Sequence, residues 1–299
     1  MNPTAILTAD IHLRTDRPAK RTDNYFAAQA NKIEFIRDLQ EEYKCPIFDG
    51  GDLFHRWNSS PYLEAWAIEN LPNDIHTVAG NHELLEHNIN NLEKASLNVL
   101  SVANKIKLLC SGSYLTVVTE HRVVKLSGFP WNTPLKSAKE KRSLNVALIH
   151  HMITDEDLKY KDDTALKAHT LFKKMEGFDL IVCGHNHKPF VVEQDGRLIV
   201  SPGSMMRTTK GQMEHRPRVY LWYAGNNTVK PMYLPIEKDV FAVTQIRKEE
   251  ESEKRIESFI LALKEEYEVT LSFKKNMENY LAGNKTVKSV EEIIWECVP

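Results

Sequence analysis

The stretch Phe48-Asp49-Gly50-Gly51-Asp52-Leu53-Phe54-His55 decides the fold. Just before it, Cys45-Pro46-Ile47-Phe48 is a short apolar run that reads as a buried strand. Glycines at a strand end let the backbone turn sharply and let a ligand come close. Asp52 is therefore expected at the carboxyl end of a parallel strand, where open α/β sheets bind ligands.

Other predicted strands end in the same manner. Thr4 to Ala9 is mostly apolar and runs into Asp10-Ile11-His12. If the strand repeat of two continues, Asp10 and His12 point to one side and suit one metal; the alternative is an Asp-capped turn beside an incidental His. Ile75 to Ala79 leads into Gly80-Asn81-His82-Glu83, Leu144 to Ile149 into His150-His151, and Phe178 to Cys183 into Gly184-His185-Asn186-His187. Between the first strands, Tyr25 to Tyr43 carries an apolar stripe at helical spacing, and Pro61 to Leu71 starts with a proline suited to a first turn. Ile89 to Ala103 and Asp163 to Gly177 also read as helical. β-rich pairs flank Thr119-Glu120-His121, Asp195-Gly196 and Gly225-Asn226-Asn227, which are hairpin signals.

The chain has 299 residues, 42% hydrophobic and 27% charged, with a formal net charge of −2. That is an ordinary globular composition, with no global basic field to advertise nucleic acid; a local basic patch remains compatible with it. The four cysteines form no CxxC pair and read as buried free thiols in a reducing compartment. No signal peptide or bilayer-spanning run is visible, so a cytoplasmic, non-membrane protein is expected. Near Pro235 the composition shifts. Residues 1–235 are expected to form the main domain and 236–299 a small α/β appendage.

The strand-end residues Asp10, His12, Asp52, Asn81, His150, His185 and His187 are too many donors for one transition ion. They suit two ions sharing a bridging carboxylate, and mixed imidazole and carboxylate ligation favours manganese, with iron or zinc as alternatives. Two such ions roughly 3.5–4 Å apart clamp an in-line displacement at phosphorus.

In order, Asp10-x-His12, Gly51-Asp52, Gly80-Asn81-His82-Glu83, His150 and Gly184-His185-x-His187 resemble the calcineurin-like metallophosphoesterase superfamily over roughly residues 4–235. The resemblance implies an α/β fold, a two-sheet β sandwich flanked by helices. It implies that Asp10, His12, Asp52 and His187 hold one metal, and that Asp52 (bridging), Asn81, His150 and His185 hold the other. His82 then contacts the phosphate or protonates the leaving oxygen. Asp52-Leu53-Phe54-His55 and Pro202-Gly203-Ser204 look like the SbcD-type DNA repair nucleases. In that group the histidine matching His55 orients the substrate phosphate, and the C-terminal appendage resembles their DNA-gripping cap.

Three features depart from the pattern: Arg14 where Gly is common, Glu83 where Asp is usual, and an end soon after the cap. The tail that docks onto an SbcC-type ABC ATPase is thus expected to be missing, as in a minimal or phage-encoded version; a homodimer is left open. DNA is the expected partner, with Arg14, Lys20, Arg21, Arg56, Arg207 and Lys210 among the basic residues offered to its phosphates. Two alternatives stand beside the nuclease: a phosphatase or cyclic-nucleotide phosphodiesterase with the same metal site, and a non-catalytic scaffold.

Overall fold

The computed structural model describes residues 2–119, 123–138, 143–156 and 165–242, together with Leu281 and Lys288. The chain divides into two compact units, Met1–Phe241 and Ala242–Pro299. The strands and helices expected beyond residue 242, the turn at 120–122 and the basic residues at 139–142 lie outside the described residues.

In the first unit, β1 (Ala5–Thr8) leads through α1 (Tyr25–Tyr43) to β2 (Ile47–Asp49). From there α2 (Pro61–Asn70) leads to β3 (Ile75–Thr77), and α3 (Ser96–Val102) to β4 (Ile106–Leu108). Next come β5 (Tyr114–Val118), β6 (Val123–Phe129), β7 (Leu144–His150), and the short β8 (Ile153–Thr154) and β9 (Leu166–Lys167). The remainder is α4 (Ala168–Lys174), β10 (Leu180–Gly184), β11 (Phe190–Gln194), β12 (Arg197–Ser201), β13 (Arg218–Tyr223) and β14 (Thr228–Tyr233).

Among the described residues, two 6-stranded sheets are ordered β14-β13-β1-β2-β3-β4 and β11-β12-β10-β7-β6-β5, as expected for a two-sheet sandwich with helices, and β8 and β9 pair separately. β1 to β4 run parallel in the first sheet, and β6, β7, β10 and β12 run parallel in the second.

Alternation along the central strands sorts the core into layers. Ala5 and Leu7 meet Val146, Leu148, Leu180 and Val182 between the sheets. Ile6 faces the other way, towards Ile33 and Ile36 of α1. Ala147, Ile149, Ile181 and Cys183 turn towards Leu171 and Phe172 of α4. Both faces of these strands are covered, which is why their sequences are continuous apolar runs.

α1 and α2 have the predicted extents to within a residue, because their ends are written locally. The Asn24 side chain accepts from the Ala27 amide, and Ser60 caps α2 ahead of Pro61. The helix expected over 89–103 is broken instead. A 3₁₀ segment at Ile89–Lys94 is separated from α3 by Ala95 in extended conformation. Asn88 accepts from the Asn90 amide, the local competition that makes asparagine poor inside helices. Of the helix expected over 163–177, the described part is α4 alone, preceded by strand β9. Cys45 and Cys183 are buried, whereas Cys110 is exposed, contrary to its expected burial.

His76 lies in β3 with its ring edge-on to Phe48 and is 3% exposed. Asp74 and Lys107 are its charged neighbours, and burial holds its pKa below the ordinary value despite Asp74. The folded protein therefore holds His76 neutral below about pH 6.5, where the unfolded chain takes up a proton. Stability is expected to fall as pH drops from 7 to 5. The slope of urea midpoint against pH is expected to be shallower in His76→Leu than in wild type; equal slopes refute this.

Candidate metal centre

The loops leaving β1 and β2 run side by side. The Asp10 amide donates to the Gly51 carbonyl at 3.0 Å, His12 to Asp52 at 2.9 Å and Leu13 to Leu53 at 2.8 Å. Asp10 and His12 do not continue the strand alternation expected for them. Both are past the strand end in left-handed backbone, with φ 51° and 50°. Asp52 at φ 57° and His185 at φ 85° share that conformation. Non-glycine residues avoid this region unless the surroundings enforce it, and such positions cluster at functional sites. Gly80 is the close-approach position: a Cβ there would lie 2.0 Å from Asp52 Oδ1.

All seven strand-end donors converge. On one side, His12 Nε2 is 3.0 Å from His187 Nε2, His187 Nε2 is 3.9 Å from Asp10 Oδ1, and His12 Nε2 is 3.7 Å from Asp52 Oδ2. On the other side, Asp52 Oδ2 is 3.3 Å from His150 Nε2, and Asn81 Oδ1 is 3.1 Å from His150 Nε2 and 3.0 Å from His185 Nδ1. The same Asp52 oxygen stands between the two groups. Metal bonds of about 2.1 Å put neighbouring donors of one ion about 3 Å apart, the scale of these contacts.

The polar bookkeeping also fits cations. Asp10 Oδ2 and Asp52 Oδ2 are buried without hydrogen-bond partners, although buried carboxylates ordinarily find them. Their other oxygens accept from backbone amides, Asp10 from His185 at 2.9 Å and Asp52 from His82 at 3.0 Å. His150 Nδ1 donates to the Gly50 carbonyl at 2.8 Å, which turns Nε2 towards Asp52 and Asn81. Burial raises the Asp10 pKa to about 7. Burial also opposes charge on Asp52, but His150, followed by His12 and His82, outweighs it and holds Asp52 well below the usual carboxylate range. For His150, burial is outweighed by Asp52, and the pKa rises to about 9.

Beside these donors lies a cavity of about 80 Å³, lined by Asp10, His12 and His187 together with Arg14, Tyr25, His55 and His82. His82 Nδ1 is 3.2 Å from the His55 carbonyl, and the two rings stack at 5.2 Å. Arg14 Nη1 is 2.9 Å from His55 Nε2. Arginine can only donate, so that nitrogen accepts and His55 is neutral. Burial, then Arg14, lowers the His55 pKa to about 4.

Glu83 was legible only as a departure from Asp. It is buried and accepts from the Phe54 amide at 2.9 Å and the Gly80 amide at 3.0 Å, tying the two ligand-bearing loops together. Trp131, which carried no sequence signal, packs on His185 at 4.7 Å. His151 lies next to the cluster with Nε2 buried and unpartnered.

The basic residues offered to DNA divide. Arg56 is 66% exposed, Lys210 is exposed and Lys20 half-buried, but Arg21 is a correction. It is buried, donating to Asp23 and to the Arg207 carbonyl, so its guanidinium is engaged inside the fold. Arg207 in turn donates to the carbonyls of Met213 and Glu237.

Parallel strand ends from two sheets, meeting in a mixed carboxylate and imidazole cluster, define a metal-dependent hydrolase. The chain belongs to the calcineurin-like phosphoesterase family, whose model matches residues 4–189, more than half its length. The family uses a dinuclear metal site, and the donor set here fits one. No curated protein matches the chain in sequence. Among solved structures, an archaeal phosphodiesterase is 13% identical with a TM-score of 0.41, covering 77% of this chain and 99% of its own. A putative 5'-nucleotidase from Staphylococcus aureus is 13% identical with a TM-score of 0.44, over 83% of this chain and 58% of its own. The sulfate thiohydrolase SoxB from Thermus thermophilus is 13% identical with a TM-score of 0.47, over 78% of this chain and 57% of its own. The chain thus spans little more than half the length of the last two. Among the described residues, no helix is long and apolar enough to cross a membrane.

Proposed function

We propose that this phosphoesterase is a manganese-preferring phosphodiesterase acting on DNA, of the SbcD repair-nuclease type. The observation that carries this reading is the position of His55, the histidine of the Asp52-Leu53-Phe54-His55 motif. It lines the same cavity as Asp10, His12 and His187 and stacks on His82. Asp10, His12, Asp52 and His187 would hold one ion, and Asp52, Asn81, His150 and His185 the other. When bound, the ions would supply positive charge at the phosphoryl oxygens and acidify the attacking water. His82 is oriented by donating its Nδ1 proton to the His55 carbonyl, and in its doubly protonated form it would give the Nε2 proton to the leaving oxygen. His55, held neutral by Arg14, orients the phosphate rather than protonating it.

The test is purified protein with manganese at low salt, on end-labelled duplex, hairpin and single-stranded DNA beside a chromogenic diester. DNA cleavage that weakens steeply as salt rises is expected, with a loss of about 100-fold or more in His82→Ala. No cleavage of any DNA form removes the DNA assignment. A second reading, hydrolysis of a small phosphoester, is favoured by the cavity of about 80 Å³. Turnover of the small diester far exceeding any DNA cleavage would establish it.

A further inference from the structure

The cavity beside the candidate metal centre is bordered by more than the hydrolytic chemistry uses. Tyr25, the first residue of α1, lines it and is 2% exposed, yet its hydroxyl has no hydrogen-bond partner. Buried hydroxyls almost always find one, so an orphan on a cavity-lining residue marks a place for a ligand atom. The Arg21 guanidinium, paired with Asp23, lies 5.2 Å from the centre of the Tyr25 ring.

Arg14 lines the same cavity. Its Nε and Nη2 are held by Asp16, and its Nη1 meets His55 Nε2. A guanidinium has more N–H donors than these contacts use. An arginine with N–H donors to spare and an unpartnered phenol lining one cavity suit a tetrahedral oxyanion.

We propose that Arg14 and the Tyr25 hydroxyl form an anion subsite for a second phosphate of the substrate, the one next along the strand from the phosphate being cleaved. This rests on the phosphodiesterase reading and narrows it. The enzyme would favour diesters flanked by another phosphate over isolated ones, which is a nucleic-acid preference set by one pocket rather than by an extended basic surface.

The test uses p-nitrophenyl esters of thymidine monophosphate, at the 5' or the 3' position, each with and without a phosphate on the other hydroxyl. In wild type with manganese, one of the two polarities is expected to show a KM about 10-fold lower for the doubly phosphorylated ester. In Tyr25→Phe the ratio is expected to fall towards 1. Removing an unpartnered buried hydroxyl leaves folding stability unchanged or raised, so a melting temperature at or above wild type accompanies that loss. A preference retained in Tyr25→Phe, or no preference at either polarity, overturns the subsite.

If no ester is hydrolysed, the phosphodiesterase reading has failed. The subsite is then judged without metal, from the thermal shift given by thymidine 3',5'-bisphosphate over thymidine monophosphate in EDTA. A larger shift in wild type that disappears in Tyr25→Phe supports it, and equal shifts refute it.

Discussion

Asp52→Asn is expected to lower metal-dependent hydrolysis by on the order of 1000-fold, about 4 kcal/mol of barrier, while the metal-free protein stays folded. The reason is the position of one oxygen. Asp52 Oδ2 stands 3.7 Å from His12 Nε2 and 3.3 Å from His150 Nε2, and it has no hydrogen-bond partner of its own. An amide cannot bridge two cations with the charge of a carboxylate. The oxygen that accepts from the His82 amide at 3.0 Å can be kept in asparagine, so the loop geometry survives. Calorimetric titration with manganese is the decisive measurement. Two ions bound as tightly as in wild type would show that Asp52 does not link the half-sites.

Gly184→Ala is expected to cost about 3–5 kcal/mol of stability and to abolish metal binding with it. A Cβ at Gly184 would lie 2.3 Å from the Gly50 carbonyl oxygen and 2.7 Å from His150 Nδ1. Here the end of β10 in one sheet meets the loop after β2 in the other, backbone against backbone. The backbone must shift, and the hydrogen bond that orients His150 goes with it. Gly211 is the control, since an added Cβ there meets nothing within 4 Å, and Gly211→Ala is expected to change stability by no more than about 0.5 kcal/mol. Equal melting temperatures for the two variants would mean that the sheets are not in contact at Gly184.

Several of these residues were readable before any fold was known, and others were not. Period-two and helical patterns are local, so α1, α2 and the central strands appear in the sequence with nearly their observed limits. The Asn-rich stretch before α3 misled the periodicity, because side chains there bond to nearby backbone rather than leaving it to a helix. The basic residues misled in another way. Arg21 and Arg207 look like surface charges, but Arg21 reaches the Arg207 carbonyl, 186 residues away, and so serves packing. Glu83 shows a third case: its one extra methylene relative to Asp still lets the carboxylate accept two backbone amides, so the departure keeps the loop tied.

By itself the amino-acid order determined which side chains end each strand, and therefore that Asp, Asn and His donors would cluster if those strands were parallel neighbours. The tertiary structure alone decided that they are neighbours, that Asp10, His12, Asp52 and His185 take left-handed backbone to reach one another, and that Arg14 meets His55 across 41 residues. The physical reason is range. Hydrophobic periodicity is written within one strand or helix, whereas the register between strands and the meeting of two sheets at Gly50 and Gly184 depend on contacts between segments far apart in the chain.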